Sequence, residues 1–317
     1  MTTAARRAPI AALRSSSALR SVLVAFSVGR LHIVAIGALG TFTFGWLFTG
    51  RYPWLLAAVT ALDWFLVNLL NRVVDLPEDR ENRIVGTDFV AAHRRAIQAI
   101  GFTLLGGSLL LVHLVTPGVT WLRVAFHALG LAYNWPLLPG RRRRRIKQLY
   151  FWKNTASATG FMLTVFGYPL AASALGWGEL PAGIHPATIA LTALFFFTFE
   201  LSYEVIYDLR DAPGDRIAGV RTYPVVHGER GAIHIIDGLI GASMATLVVG
   251  YASGVIPWRI FIMIAAPALQ LVLYKRALGR AEPRGITSGD CVGITWIGAG
   301  LLFTYHLWVI AGLPGMG

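Results

Sequence analysis

Nine apolar runs of 20 or more residues follow one another along the chain, with short polar connections between them. A helix that spans a bilayer needs about 20 mostly apolar residues. Only helices and closed barrels satisfy their backbone groups there. The runs cover 23–49, 53–74, 96–115, 119–138, 152–174, 187–208, 232–253, 257–277 and 289–312. They predict an all-α integral membrane bundle of nine transmembrane helices. One domain over 1–317 is expected, with 1–20 as a basic cytoplasmic N-terminal segment. Charged residues make up 14% of the chain, against about 25% in soluble domains.

Positive charge tests this partition. If the helices alternate from a cytoplasmic N-terminus, all of the 28 Lys and Arg except Arg51, Arg123 and Arg259 fall on the inner side. Inner loops of membrane proteins carry such an excess, so the C-terminus is expected outside, in what is taken to be the cell membrane. The net charge of +12 does not point to nucleic acid, because it is confined to short stretches between apolar runs. Arg141–Arg145, directly after a run, reads as an anchor against the lipid bilayer. The single Cys291 excludes an internal disulfide and any cysteine-based metal site. No motif specifies an oligomeric state.

Ten of the 16 acidic residues lie in two places, 75–88 and 200–215, both on the inner side. Unpaired carboxylates beside a bilayer are costly, so cations are expected to neutralise them. At about 100° per residue, Glu200, Glu204, Asp208, Asp211 and Asp215 share one helical face, and Asn68, Asn71, Asp75 and Asp79 share another. Pro77 and Pro213 are expected to bend or end these helices. Asp75-x-x-x-Asp79-Arg80 recurs as Asp211-x-x-x-Asp215-Arg216. A second register pairs Asp75-Leu76, Arg83-Ile84 and Gly86 with Asp208-Leu209, Arg216-Ile217 and Gly219. The first is preferred because it keeps both carboxylates, and both remain open.

Oxygen ligands on two elements suit Mg²⁺, which takes its other ligands from water and phosphate. Arg80, Arg83, Arg216, Arg221, Lys147 and Lys153 supply cations for phosphate. The eight histidines are scattered and read as packing residues. Gly37/Gly40 and Gly106-Gly107 read as close helix-packing surfaces.

Two passages carry a resemblance. Asn71-x-x-x-Asp75-x-x-x-Asp79 resembles the first aspartate-rich motif of the UbiA superfamily of intramembrane prenyltransferases. Tyr207-Asp208-Leu209-Arg210-Asp211-Ala212-Pro213-Gly214-Asp215, continuing through Gly219, Arg221-Thr222 and Pro224 to Gly228, resembles the second. Tyr133-x-x-Pro136 and Lys153-Asn154 are similar to a feature of the fourth-to-fifth connection. The resemblance implies a helical bundle around a central cavity, capped by the two motifs. It implies that Asp75, Asp79, Asp211 and Asp215 are catalytic, and that with Asn71 and Asp208 they hold Mg²⁺. Arg30, Arg80, Lys153, Arg216 and Arg221 would meet the diphosphate, and Asn68, Tyr133, Asn154, Tyr203, Glu204 and Tyr207 would line the cavity. The implied reaction moves a polyprenyl group from an isoprenyl diphosphate to a lipophilic acceptor, aromatic or a quinone precursor.

The chain departs from the family in two places. Arg72 stands where the family usually has Asp, and Asn82-Arg83-Ile84-Val85-Gly86 replaces its Lys-Pro-x-Arg-Pro stretch. Aromatic walls would shield a carbocation, with Tyr203, Tyr207, Phe195, Phe196, Phe197 and Trp64 as candidates. The alternatives are a terpene cyclase, in which the substrate's own double bond captures the cation, and a cation-coupled transporter.

Overall fold

A computed structural model describes residues 17–139, 143–176, 178–181, 183–281 and 285–312. Most of the basic N-terminal segment, with Arg141, Arg142 and Arg284, lies outside the described residues. All nine apolar runs become helical. Among the described residues, seven helices are long and apolar enough to cross a membrane, and the chain is an integral membrane protein.

In chain order the elements are α1 (Ser17–Val28), α2 (Leu31–Thr49), α3 (Trp54–Val74), the short α4 (Leu76–Glu81) and α5 (Thr87–Ala92), and α6 (Arg94–Val115). Then come α7 (Thr120–Asn134), α8 (Trp152–Phe161), a π-helical stretch Met162–Gly167, α9 (Tyr168–Ala174), α10 (Pro186–Ile217) and α11 (Tyr223–Ala252). The last two are α12 (Trp258–Leu278) and α13 (Ser288–Ile310). The bundle closes on itself, since α13 packs against α2.

Several boundaries differ from expectation. The run 23–49 is broken at Gly29-Arg30, where Arg30 takes a left-handed backbone with φ 45°. α10 does not end at Pro213 but continues to Ile217, so Asp211 and Asp215 stay helical. α11 starts at Tyr223, well before 232, and kinks at Gly228. The Gly106-Gly107 face is open, with nothing where a Cβ would point, whereas Gly37 and Gly40 lie against Trp64 and Val165.

A buried polar cluster ties four elements together. Asp63 on α3 accepts from Arg123 Nε (2.9 Å) and the Arg123 NH2 group on α7, and from Tyr168 Oη of α9 (2.8 Å). His127 Nε2 lies 2.9 Å from the same carboxylate. Arg123 also donates to the Ser108 carbonyl of α6 at 2.8 Å. Arg123 is therefore not an outer-loop charge, because the Asp63 carboxylate draws it inside, where it is 0% exposed.

Candidate functional site

Apolar side chains drive the helices together, but where carboxylates face inward the packing leaves a gap. A cavity of about 640 Å³ opens there, walled by α1, α2, α3, α7, α8, α10 and α13. Its deep end is aromatic. Trp64 stacks on Phe161 at 4.1 Å between centroids and meets the edge of Phe126 at 5.1 Å. Trp64 Nε1 donates to Thr164 Oγ1 in the π-helical stretch (3.1 Å), which fixes the ring.

The polar end is built on α10 and α8. Lys153 Nζ donates to Asp208 Oδ1 (2.7 Å) and Asp215 Oδ2 (3.0 Å). Asn154 Nδ2 holds the other Asp208 oxygen at 2.9 Å. Asp211 is paired with Arg210 at 2.7 and 2.6 Å. On the facing side, Asp75 pairs with Lys147 and, at 3.2 Å, with Arg145. Arg72 NH1 donates to Asp79 at 2.6 Å and its NH2 to the Val85 carbonyl at 2.8 Å. Burial pushes the Asp79 carboxyl above its ordinary range, while Arg30 and Arg72 pull it down. Ionised Asp79 therefore depends on nearby positive charge.

The two acidic segments share a backbone signature. Ile84 N–H donates to the Asp79 carbonyl (2.9 Å) and Asn82 N–H to that of Glu78 (3.0 Å). In the second segment Val220 N–H donates to Asp215 (2.8 Å) and Ala218 N–H to Gly214 (3.0 Å). Arg83 (φ 51°) and Gly219 (φ 67°) are the left-handed residues at matching places, as in a helix-ending Schellman turn. This correspondence selects the register that pairs Asp79 with Asp215. The segments also touch. Gly214 N–H donates to Asn82 Oδ1 at 3.2 Å, and a Cβ on Gly214 would meet the Asn82 side chain at 2.7 Å.

The cavity wall includes Arg30, Asn68, Asn71, Tyr133, Lys153, Tyr203, Glu204, Tyr207, Asp208 and Asp211. Asp75, Asp79, Asp215 and Asn154 stand behind it, buried. Arg80, Arg216 and Arg221 are exposed and outside the wall. Arg80 and Arg216 each follow an inward aspartate by one residue, a turn of about 100° that points them away. Arg221 instead lies over the Tyr150 ring. Among the aromatic candidates, Phe195, Phe196 and Phe197 are not in the wall, and Phe195 and Phe196 pack in the apolar core. Sequence reasoning missed Phe126, Phe161, Ser157 and Arg210, which line the cavity. Ser157 and Phe161 follow Lys153 at steps of four, so helical phase would have found them.

Among the described residues, no three His, Cys, Asp or Glu side chains converge on a point. Carboxylates on two separate segments suit Mg²⁺, which is held by one or two of them with water and phosphate. The Asn71 Oδ1 atom is buried without a partner. Two carboxylates already converge on the Lys153 ammonium.

The model of the UbiA prenyltransferase family matches residues 22–288. A digeranylgeranylglyceryl phosphate synthase from Natronomonas pharaonis is 26% identical over 100 residues, which is 32% of this chain and 36% of that relative. The chain thus matches about a third of the length of that curated relative. In fold, it is similar to a UbiA homologue from Archaeoglobus fulgidus solved with GPP and Mg²⁺, with TM-score 0.64, 16% identity, and 90% and 99% of the two chains covered. The same homologue with DMAPP and Mg²⁺ gives TM-score 0.63, 16% identity and coverage of 91% and 99%.

Proposed function

Because the chain belongs to the UbiA prenyltransferase family, we propose that it transfers a polyprenyl group from an isoprenyl diphosphate to a lipophilic acceptor within the bilayer. The carrying observation is one cavity with two chemically opposite ends. Asp208, Asp211, Lys153, Arg30 and Asn71 line the polar end, and Trp64, Phe126 and Phe161 the apolar end. A prenyl diphosphate has the same division.

Asn71, Asp75, Asp79, Asp208, Asp211 and Asp215 would between them hold the Mg²⁺ ions at the mouth, each ion by one or two of these carboxylates with water and phosphate. When bound, Mg²⁺ neutralises the diphosphate and stabilises it as a leaving group. Breaking the allylic C–O bond sends its electron pair to the diphosphate and leaves positive charge on carbon. Lys153 and Arg30 stabilise the departing oxygens electrostatically. The left-handed backbone at Arg30 costs about 1–2 kcal/mol, a strain consistent with a side chain held at a functional mouth. Trp64, Tyr203 and Tyr207 face the carbocation with π-electron density and exclude water.

The archaeal homologue solved with GPP and Mg²⁺ supports the diphosphate assignment. The Natronomonas relative is a synthase of digeranylgeranylglyceryl phosphate, which makes a lipid alcohol as eligible an acceptor as a quinone precursor. The excess of Lys and Arg at the mouth end supports a cytoplasmic site in the cell membrane, with the C-terminus outside. The test is mass spectrometry of products from farnesyl and geranylgeranyl diphosphate with Mg²⁺, with and without a membrane lipid extract. A prenylated product that requires the extract is expected. A cyclic hydrocarbon formed without it would make the protein a terpene cyclase, and ion flux in proteoliposomes without diphosphate loss would make it a transporter.

A further inference from the structure

Transfer to a hydroxyl or an arene releases a proton, and none of the groups that hold the diphosphate is free to take it. We propose that Glu204 accepts this proton, as a catalytic base one helical turn below the diphosphate. The proposal rests on the transferase reading above.

Two rungs join α8 to α10. The upper is Lys153–Asp208 at 2.7 Å, and the lower is Ser157 Oγ donating to Glu204 Oε1, also at 2.7 Å. Each lies four residues from the other along both helices, a depth of about 6 Å. A diphosphate seated at the upper rung puts its first carbon deeper in the cavity, at the level of the lower one.

Glu204 differs from every other carboxylate on its face. Asp208, Asp211 and Asp215 are each paired with an ammonium or guanidinium group. Glu200, one turn deeper, is buried and not in the cavity wall. Glu204 lines the cavity, and its hydrogen bond is to a neutral hydroxyl. No ion pair within salt-bridge distance joins it among the described residues. A carboxylate matched to a cation is a poor base, whereas one oriented by a hydroxyl keeps its second oxygen for the acceptor. Ser157 is then a positioning residue.

The step balances without a redox partner. The acceptor's lone pair, or an arene π pair, forms the new bond to the allylic carbon. The acceptor O–H or C–H bond breaks, its electrons stay with the acceptor, and the proton passes to the Glu204 carboxylate. Diphosphate carries away the electrons of the broken C–O bond. Glu204 returns its proton to water at the mouth between turnovers.

The experiment uses the full chain in liposomes with geranylgeranyl diphosphate, Mg²⁺ and a membrane lipid extract as the acceptor source. Diphosphate, prenylated acceptor and prenyl alcohol are measured together. Glu204→Gln is expected to cut prenylated acceptor about 100-fold or more while diphosphate release continues and prenyl alcohol accumulates from capture by water. Glu204→Asp is expected to restore part of the transfer. Wild-type transfer by Glu204→Gln would overturn the proposal. So would a proportional loss of diphosphate release and transfer, which would place Glu204 in ionisation instead. If the wild-type protein releases no diphosphate at all, the transferase reading itself falls, and this proposal with it.

Discussion

The bundle buries carboxylates in two regions and treats them oppositely. Asp63 sits about 18 Å along α3 from Asp75, by helical rise. Its two oxygens receive Arg123, Tyr168 and His127, and it is 0% exposed, outside the wall of the cavity described above. At the mouth the aspartates hold one or two lysine or arginine cations each, around a cavity. A saturated carboxylate is a structural tie, because nothing can be added without losing a hydrogen bond already made. A carboxylate paired with an exchangeable cation can trade it for another. Saturation, not burial, separates the tie from the site.

Each substitution below tests that separation. The largest effect is expected from Asp63→Ala, which leaves the Arg123 guanidinium buried without its counter-charge. Stability should fall by about 3–5 kcal/mol, read as thermal unfolding in detergent. A variant that melts like the wild type would erase the distinction. Asp211→Asn or Asp75→Asn should instead keep the melt and lower diphosphate release at least about 100-fold. Removing Mg²⁺ with a chelator should give the same loss, with folding intact. Full turnover in both variants would refute the mouth as the site. Tyr168→Phe removes one of the donors to Asp63 and should cost about 1.5 kcal/mol with activity kept. The smallest effect is expected at the exposed Lys275–Asp237 pair between α12 and α11. Asp237→Asn should shift stability by less than about 1 kcal/mol, which would show that contact with lysine alone does not make a tie.

The tie was invisible in sequence. Asp63 showed no partner in its own helix, and Arg123 counted as an outer-side charge. The pairing joins residues far apart in the chain, and helical phase says nothing across helices. The mouth was far more legible, since its carboxylates repeat at three- and four-residue steps within single segments. Arg72 illustrates the boundary between the two cases. In sequence it was only a departure from the family's aspartate; in the fold it holds Asp79. The exposed Arg80 and Arg216 erred the other way, because adjacency in sequence suggested a shared site and the helix turned them outward.

Hydropathy and charge pattern alone located the apolar runs, seven of which lie in helices long and apolar enough to cross a membrane among the described residues, and the clustering of carboxylates in two segments. These follow from bilayer thickness and the helical repeat, which act on local sequence. Tertiary packing decided what each buried charge does. It determined which carboxylate is saturated, which two share a lysine, and which one, Glu204, faces the cavity beside a hydroxyl alone. It also settled the register of the two acidic segments, through matching turns at Arg83 and Gly219. The physical reason is that a buried carboxylate takes its role from the donors around it, and those donors come from other helices.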